Sequence, residues 1–165
     1  MPKAKYQLED FLEIVVEGYK KLVMIVHDML LQDGYKPKIQ VTKSTGLQLA
    51  YYQPKIKTVA GIILILFMRD EKLMIRIYAS NHKAYPQALG GLPKSIASQI
   101  DNADDCVKFV DPQKCWNGCG GYDFIIGEKQ YQKCITNCFQ IALDNESMPY
   151  LLEIIENESK ARLKS

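Results

Sequence analysis

Four of the chain's five cysteines form two pairs, and each pair has three residues between its members. Thiolates bind zinc and related thiophilic ions well, and four of them complete a closed tetrahedral site. The residue types therefore predict a structural zinc site, whose metal would contribute to folding rather than to catalysis. The four predicted ligands are Cys115, Cys119, Cys134 and Cys138.

The residues around the cysteines support this metal site in part. Glycines at positions 118, 120 and 121 would let backbone N–H groups turn toward sulfur. Cys134 and Cys138 are four residues apart, so a helical turn would place both thiols on one face. Against the site, paired zinc ligands usually have about two residues between them, and a spacing of three is less specific.

Other chemistry is open to the same thiols. Cysteine packs as a small hydrophobic residue, so buried free thiols are one alternative. A redox dithiol is another, although Cys-x3-Cys is wider than the thioredoxin-type motif. A cysteine nucleophile requires a nearby base. The chain has two histidines, His27 and His82, and both are far from the cysteines in sequence. Cys106 is a fifth candidate ligand, a replacement for one of the four, or a spare.

A second candidate site lies on the strand predicted around residue 75. Arg76 and Tyr78 share its less apolar face, and Asn81 follows shortly after it. An arginine with several tyrosines on a sheet face predicts the binding of an anionic or planar ligand. The alternative is that a helix covers the strand, Arg76 reaches the rim and the tyrosines pack by their rings.

Lysines cluster on the first predicted hairpin and its flanks, at positions 36, 38, 43, 55 and 57. Such lysines usually keep a sheet edge solvated, and a nucleic-acid patch is the less favoured alternative. The chain has 21 Lys and Arg residues against 19 Asp and Glu residues. This balance gives no argument from charge for nucleic acid or an acidic membrane.

A β-hairpin is predicted between the two cysteine pairs. Tyr122, Phe124 and Ile126 alternate on one side, residues 127–129 can turn, and residues 130–134 can return. Pairing the two arms places Cys119 near the base of one arm and Cys134 near the base of the other. This is the arrangement from which zinc ribbons and knuckles are built.

The remaining elements predict an α+β fold. They are a long amphipathic helix over residues 7–32, strands around residues 39–42, 47–52, 58–68 and 73–78, an interrupted helix over 81–103 and a final helix over 147–163. Because short turns join the four strands, we expect an antiparallel β-meander with helices packed on one face. We expect a single domain over residues 1–165, with a cysteine-rich hairpin subregion at 106–139.

Hydropathy predicts a cytoplasmic protein without a membrane partner. The longest apolar run covers the ten residues 59–68, and a membrane-spanning helix needs about 20. The N-terminus lacks the apolar stretch of a signal peptide. The sequence contains no Walker loop, dinucleotide glycine fingerprint, HExxH or GxSxG motif.

Several short segments carry a resemblance to known proteins. They are Arg-Ile-Tyr at 76–78, Leu-Pro at 92–93, Gly-Tyr-Asp-Phe at 121–124, Tyr-Gln-Lys-Cys at 131–134 and Cys-Phe at 138–139. Together they resemble an uncharacterised family of proteins from low-GC Gram-positive bacteria, over most of the chain from residue 58 onward. That family implies no catalytic residue. More loosely, the order of elements is similar to the YjbR/YdhG-like α+β domains, in which binding of DNA or other partners is suspected. The cysteine hairpin is not part of that second pattern.

We therefore expect a cytoplasmic binding or interaction module, more a binder than an enzyme, with a structural zinc site. Its partner would be a small ligand or a protein. A thiol-based redox sensor or enzyme using the same cysteines is the alternative, and a nucleic-acid-binding module is a further one.

Overall fold

The structure, a computed structural model, describes residues 5–56, 58–116 and 119–164. The chain divides into two compact units. The first consists of the residues up to Ile77 together with Ala142–Met148, and the second of Tyr78–Ile141 together with the residues from Pro149 onward. The mixture of helices with an antiparallel sheet and a separate hairpin confirms the predicted α+β class.

The first unit contains the predicted antiparallel meander. Its strands are β1 (Lys36–Thr42), β2 (Gly46–Tyr52), β3 (Ile62–Arg69) and β4 (Lys72–Ile77). The six residues 62–67 of β3 are all buried, which confirms a central strand covered on both faces. In β4, Leu73, Ile75 and Ile77 are fully buried and alternate with half-buried residues, as the period of a strand requires.

The predicted long helix over 7–32 is wrong, because two helices occupy this segment. They are α1 (Leu8–Ile14) and α2 (Lys20–Gln32). Val15 and Val16, between them, have extended backbones with ψ of 129° and 136°. Two β-branched residues followed closely by Gly18 are poor helix formers, and their summed propensity costs outweigh continuation of the amphipathic stripe.

The end of α2 follows the predicted glycine cap. Gly34 has φ of +85°, in the left-handed region that glycine adopts without strain. The N–H of Gly34 donates to the carbonyl of Leu31, and that of Tyr35 donates to the carbonyl of Leu30. These two bonds are those of a Schellman motif, so the last carbonyls of α2 are satisfied as the chain turns into β1.

The second unit contains shorter helices and the cysteine hairpin. The elements are α3 (Pro86–Gly90), α4 (Lys94–Asp101), the hairpin strands β5 (Tyr122–Ile126) and β6 (Lys129–Lys133), the strand β7 (Gln140–Ala142) and the final helix α5 (Met148–Lys164). The predicted helix over 81–103 is interrupted at Gly90 and Gly91, as expected. Ala142, the last residue of β7, and Met148, the first residue of α5, belong to the first unit. Among the described residues, no helix has the length and apolar character needed to span a membrane.

Candidate functional site

The hairpin presents one aromatic face. Tyr122 lies opposite Lys133 and Phe124 opposite Tyr131. The rings of Phe124 and Tyr131 stack with centroids 5.6 Å apart, and Phe139 stacks on Phe124 at 5.3 Å. These rings are buried, so they fix the hairpin within the second unit.

A cleft of about 590 Å³ lies between α3 and the hairpin, within the second unit. Its apolar lining includes Pro86, Leu89 and Phe124, and its polar lining includes Lys83, Asp123 and Gln130. Binding sites for small molecules typically have volumes of about 300–1,000 Å³, apolar walls and a few polar groups. The cleft therefore has the size and lining of a small-ligand site.

Asp123 brings a negative charge to this cleft. The amide Nε2 of Gln130 donates to its Oδ1 at 2.8 Å, and the amide of Gln132 donates to Oδ2 at 3.4 Å. Both donors are neutral, so they orient the carboxylate without cancelling its charge. Lys83, an exposed residue, adds a positive charge to the same lining.

His82 also lines the cleft, but its ring nitrogens are both engaged. The backbone N–H of Asp123 donates to Nε2 at 3.4 Å, so the proton of the neutral ring is on Nδ1, 3.2 Å from the carbonyl of Ala79. Burial lowers the pKa of His82, while its hydrogen bond to the carbonyl of Ala79 opposes this shift. His82 is therefore a neutral residue that connects β5 with the loop preceding α3. It is poorly placed as a general base.

We expect His82 to titrate below the usual pKa of 6.5, because charging it would place a cation in a desolvated position. The unfolded chain takes up this proton near pH 6.5, so the stability that His82 contributes is lost as the pH falls below that value. The C2 proton signals of the two histidines, followed by NMR against pH, measure this directly. The variant His27→Gln assigns the signals, and a pKa at or above 6.5 for His82 would contradict the burial argument.

Three of the thiols gather at the base of the hairpin. Cys119 and Cys115 are joined by a hydrogen bond between their side chains, and Cys106 is close enough to interact electrostatically with Cys119. Burial raises the pKa of Cys119, whereas a hydrogen bond from the backbone N–H of Gly121 lowers it. The ammonium of Lys108 donates to the carbonyls of Trp116 and Cys119 and so ties the cysteine loop to the preceding segment.

The other cysteine pair has different surroundings. Cys138 is fully buried, and its N–H donates to the carbonyl of Cys134 at 3.1 Å. Burial raises the pKa of Cys138 strongly, the positive charge of Lys133 opposes this shift, and the proximity of Cys134 adds to it. All five cysteines are free thiols. Within residues 5–56, 58–116 and 119–164, no group of three or more His, Cys, Asp or Glu side chains is spaced to hold a metal ion. A metal site at these cysteines therefore requires the thiols to move closer together.

The predicted ligand contacts Arg76, Tyr78 and Asn81 are divided between the two units. Arg76 belongs to the first unit, where its guanidinium lies 5.6 Å from the ring centroid of Phe67. Tyr78 and Asn81 belong to the second unit and serve a buried network there. The carbonyl of Tyr78 accepts from Arg162, and both the backbone N–H and the side-chain amide of Asn81 donate to Glu158.

This network depends on an ion pair that the sequence reasoning missed. Glu158 is fully buried, and Arg162 donates to it through Nε at 2.8 Å. The hydroxyl of Tyr85 donates to the other carboxylate oxygen at 2.5 Å. The sequence does contain a signal for this pair. At helical spacing, one face of α5 carries Leu151, Ile155, Glu158 and Arg162. Two charges on an inward-facing stripe indicate a buried pair.

Comparisons with protein-family models, with curated proteins and with solved structures find no match for the chain. Its function is therefore argued from the cleft, the thiols and the charges around them.

Proposed function

We propose that the chain is a non-enzymatic binding module that takes a small organic ligand in the cleft between α3 and the hairpin. The observation that carries this proposal is the cleft itself, which combines a volume of about 590 Å³ with apolar walls and few polar groups. The engagement of both His82 nitrogens supports binding over acid–base catalysis. The looser resemblance to YjbR/YdhG-like domains also implies a binding role, with DNA or other partners.

The charges of the cleft favour a ligand that carries both signs. Asp123 would attract a cationic group and Lys83 an anionic one, while the exposed Pro86 and Ile125 would contact an apolar body. His82 is neutral and adds no net charge. A small zwitterion with a hydrophobic substituent, such as a free hydrophobic amino acid, has this combination of groups.

The probe we would use first is phenylalanine, titrated into the ¹⁵N-labelled full chain and followed by amide chemical shifts. We expect saturable shifts at millimolar concentration, centred on cleft residues such as Gly90, Ile125 and Gly127. Phenethylamine and 3-phenylpropionate each keep the ring and one charge, so both should bind more weakly. Shifts elsewhere, or none with any of these compounds, would contradict the proposal.

The variant Asp123→Asn tests which group of the cleft holds the ligand's cation. A hydrogen bond to a charged group contributes about 1.5–3 kcal/mol, so affinity for phenylalanine should fall roughly 10- to 100-fold. Asp104→Asn is the matched control, because Asp104 is an exposed carboxylate that also accepts from an amide, that of Asn137 at 2.8 Å. Equal affinity in the two variants would remove Asp123 from the site.

We also propose that a structural zinc ion fastens the base of the hairpin and that the protein works in the cytoplasm. In support of zinc, Tyr122 and Lys133 are the last pair of the hairpin, so the two cysteine pairs flank the same end of it. The cytoplasm is proposed because paired cysteines in a reducing compartment are more often ligands or redox groups than disulfides. The redox alternative uses the same cysteines. Measurement of the zinc content distinguishes a structural zinc site from a redox dithiol.

A further inference from the structure

Cys106 lies next to an isolated β-bridge at the edge of the hairpin. Asp105 forms an antiparallel bridge with Lys133, the terminal residue of β6. The N–H of Cys106 donates to the carbonyl of Gln132 at 3.0 Å, and the N–H of Cys134 donates to the carbonyl of Asp104 at 2.9 Å. Residues 104–106 therefore lie beside β6, on the edge away from β5.

The register of this bridge decides which thiols share a face. Residues directly opposite each other in a sheet point to the same side, and neighbours along a strand point to opposite sides. Lys133 lies opposite both Tyr122 and Asp105, so all three belong to the aromatic face. Cys106 and Cys134, which neighbour Asp105 and Lys133 in sequence, therefore belong to the other face.

Contacts around Gly121 agree with this assignment. A Cβ atom on Gly121 would lie 2.7 Å from Sγ of Cys106, so the thiol occupies the space that a side chain at this position would need. The φ of Gly121 is +65°, which also favours glycine. Its N–H donates to the sulfur of Cys119, so Gly121 lies against the thiols of both Cys106 and Cys119.

Cys138 lies near the aromatic face of the hairpin. Its charge influences the hydroxyl of Tyr122, which belongs to the aromatic face of the hairpin. Tyr122 in turn contacts Phe139, with ring centroids 5.0 Å apart. Because Cys106 and Cys134 share the opposite face and Cys106 lies close to Cys119, Cys138 is the least suitable of the five cysteines as a ligand of this site.

We infer that the zinc site at the base of the hairpin uses Cys106 in place of Cys138, with Cys115, Cys119 and Cys134 as the other ligands. This rests on the proposed structural zinc. On binding, the four thiols release four protons to solvent and donate a sulfur lone pair each to the ion, so a tetrathiolate zinc carries a net charge of −2. The ammonium of Lys108, held on the cysteine loop, is placed to offset part of that charge.

The test is the zinc content of the untagged full chain and of two serine variants, measured by elemental analysis after purification without chelators. We expect stoichiometric zinc in the wild type and in Cys138→Ser, and loss of zinc in Cys106→Ser. If Cys106→Ser does not fold, Cys106→His is the substitute, because imidazole also ligates zinc and should retain the ion. Cobalt(II) substitution adds a second readout, since the thiolate charge-transfer band should be the same in Cys138→Ser as in the wild type.

The possible failures of the two proposals are distinct. Zinc that is lost in Cys138→Ser and kept in Cys106→Ser would overturn the assignment of Cys106 and leave the structural zinc in place. A metal-free wild type with five titratable thiols would overturn both. A metal-free wild type with a disulfide between Cys115 and Cys119, mapped by mass spectrometry, would also overturn both and support the redox alternative.

Discussion

Replacing Arg162 with methionine is expected to destabilise the second unit by about 3–5 kcal/mol, the usual cost of removing one partner from a buried ion pair. Glu158 is fully buried, and Arg162 is 4% exposed. The guanidinium also donates through Nη2 to the carbonyl of Tyr78 at 2.9 Å. The variant therefore leaves a buried carboxylate without its counter-charge and a carbonyl without one of its donors.

Urea denaturation, followed by circular dichroism, measures this loss as a lower midpoint at an unchanged slope. Lys160→Met is the matched control, because it removes a cation from the exposed side of the same helix and should change stability by no more than about 0.5 kcal/mol. The double variant Glu158→Met with Arg162→Met removes both charges, so it should be more stable than Arg162→Met alone. Equal effects of Arg162→Met and Lys160→Met would mean that the pair is solvated in solution.

The sequence was sufficient to predict the meander, because its strands carry strong local patterns. Leu73, Ile75 and Ile77 alternate with residues 74, 76 and 78, which form the less apolar face of the strand. The run at 62–67 is apolar throughout. Such patterns follow from burial on one or both faces of a sheet and need no tertiary information. The strand β7 has three residues, which is too short for a period to be recognised, and it was missed.

The predicted helix over 7–32 is two helices because amphipathic spacing reports which positions are buried and not where the backbone can remain helical. Val15 is 3% exposed, so the hydrophobic stripe does pass through the break. The extended conformation of Val15 and Val16 preserves that burial while ending α1. A pattern of buried positions therefore continued across a point at which the helix itself stopped.

The candidate site could be predicted only where it depends on the local hairpin. The alternation of Tyr122 and Phe124 predicts how the two arms of the hairpin pair, and this pairing places Cys119 and Cys134 near the base of the hairpin. The side on which Cys106 lies depends on the bridge from Asp105 to Lys133, a pairing 28 residues apart in sequence that no local pattern indicates. The cleft depends likewise on how α3 meets β5, which is a tertiary contact.

The aromatic face of the hairpin gives the second large expectation, because Phe139→Ala should destabilise the second unit by about 3–5 kcal/mol. Phe139 is 1% exposed, and its ring contacts those of Tyr122 and Phe124. Truncation removes a large apolar surface from the core and leaves a cavity that the paired strands β5 and β6 are poorly able to close. The loss also includes the edge-to-face and stacked ring contacts, each of which contributes about 0.5–1.5 kcal/mol.

Phe109→Ala is the matched control for this variant, because Phe109 belongs to the same unit and is 40% exposed. Its truncation should cost about 1 kcal/mol, since much of the ring is already in contact with water. Urea midpoints of the two variants give the comparison, and ring-current shifts of Tyr122 report whether the aromatic cluster itself is lost. If both variants cost the same, the aromatic face is not the core that holds the hairpin. The cleft and the cysteine base, which this hairpin positions, would then need another source of rigidity.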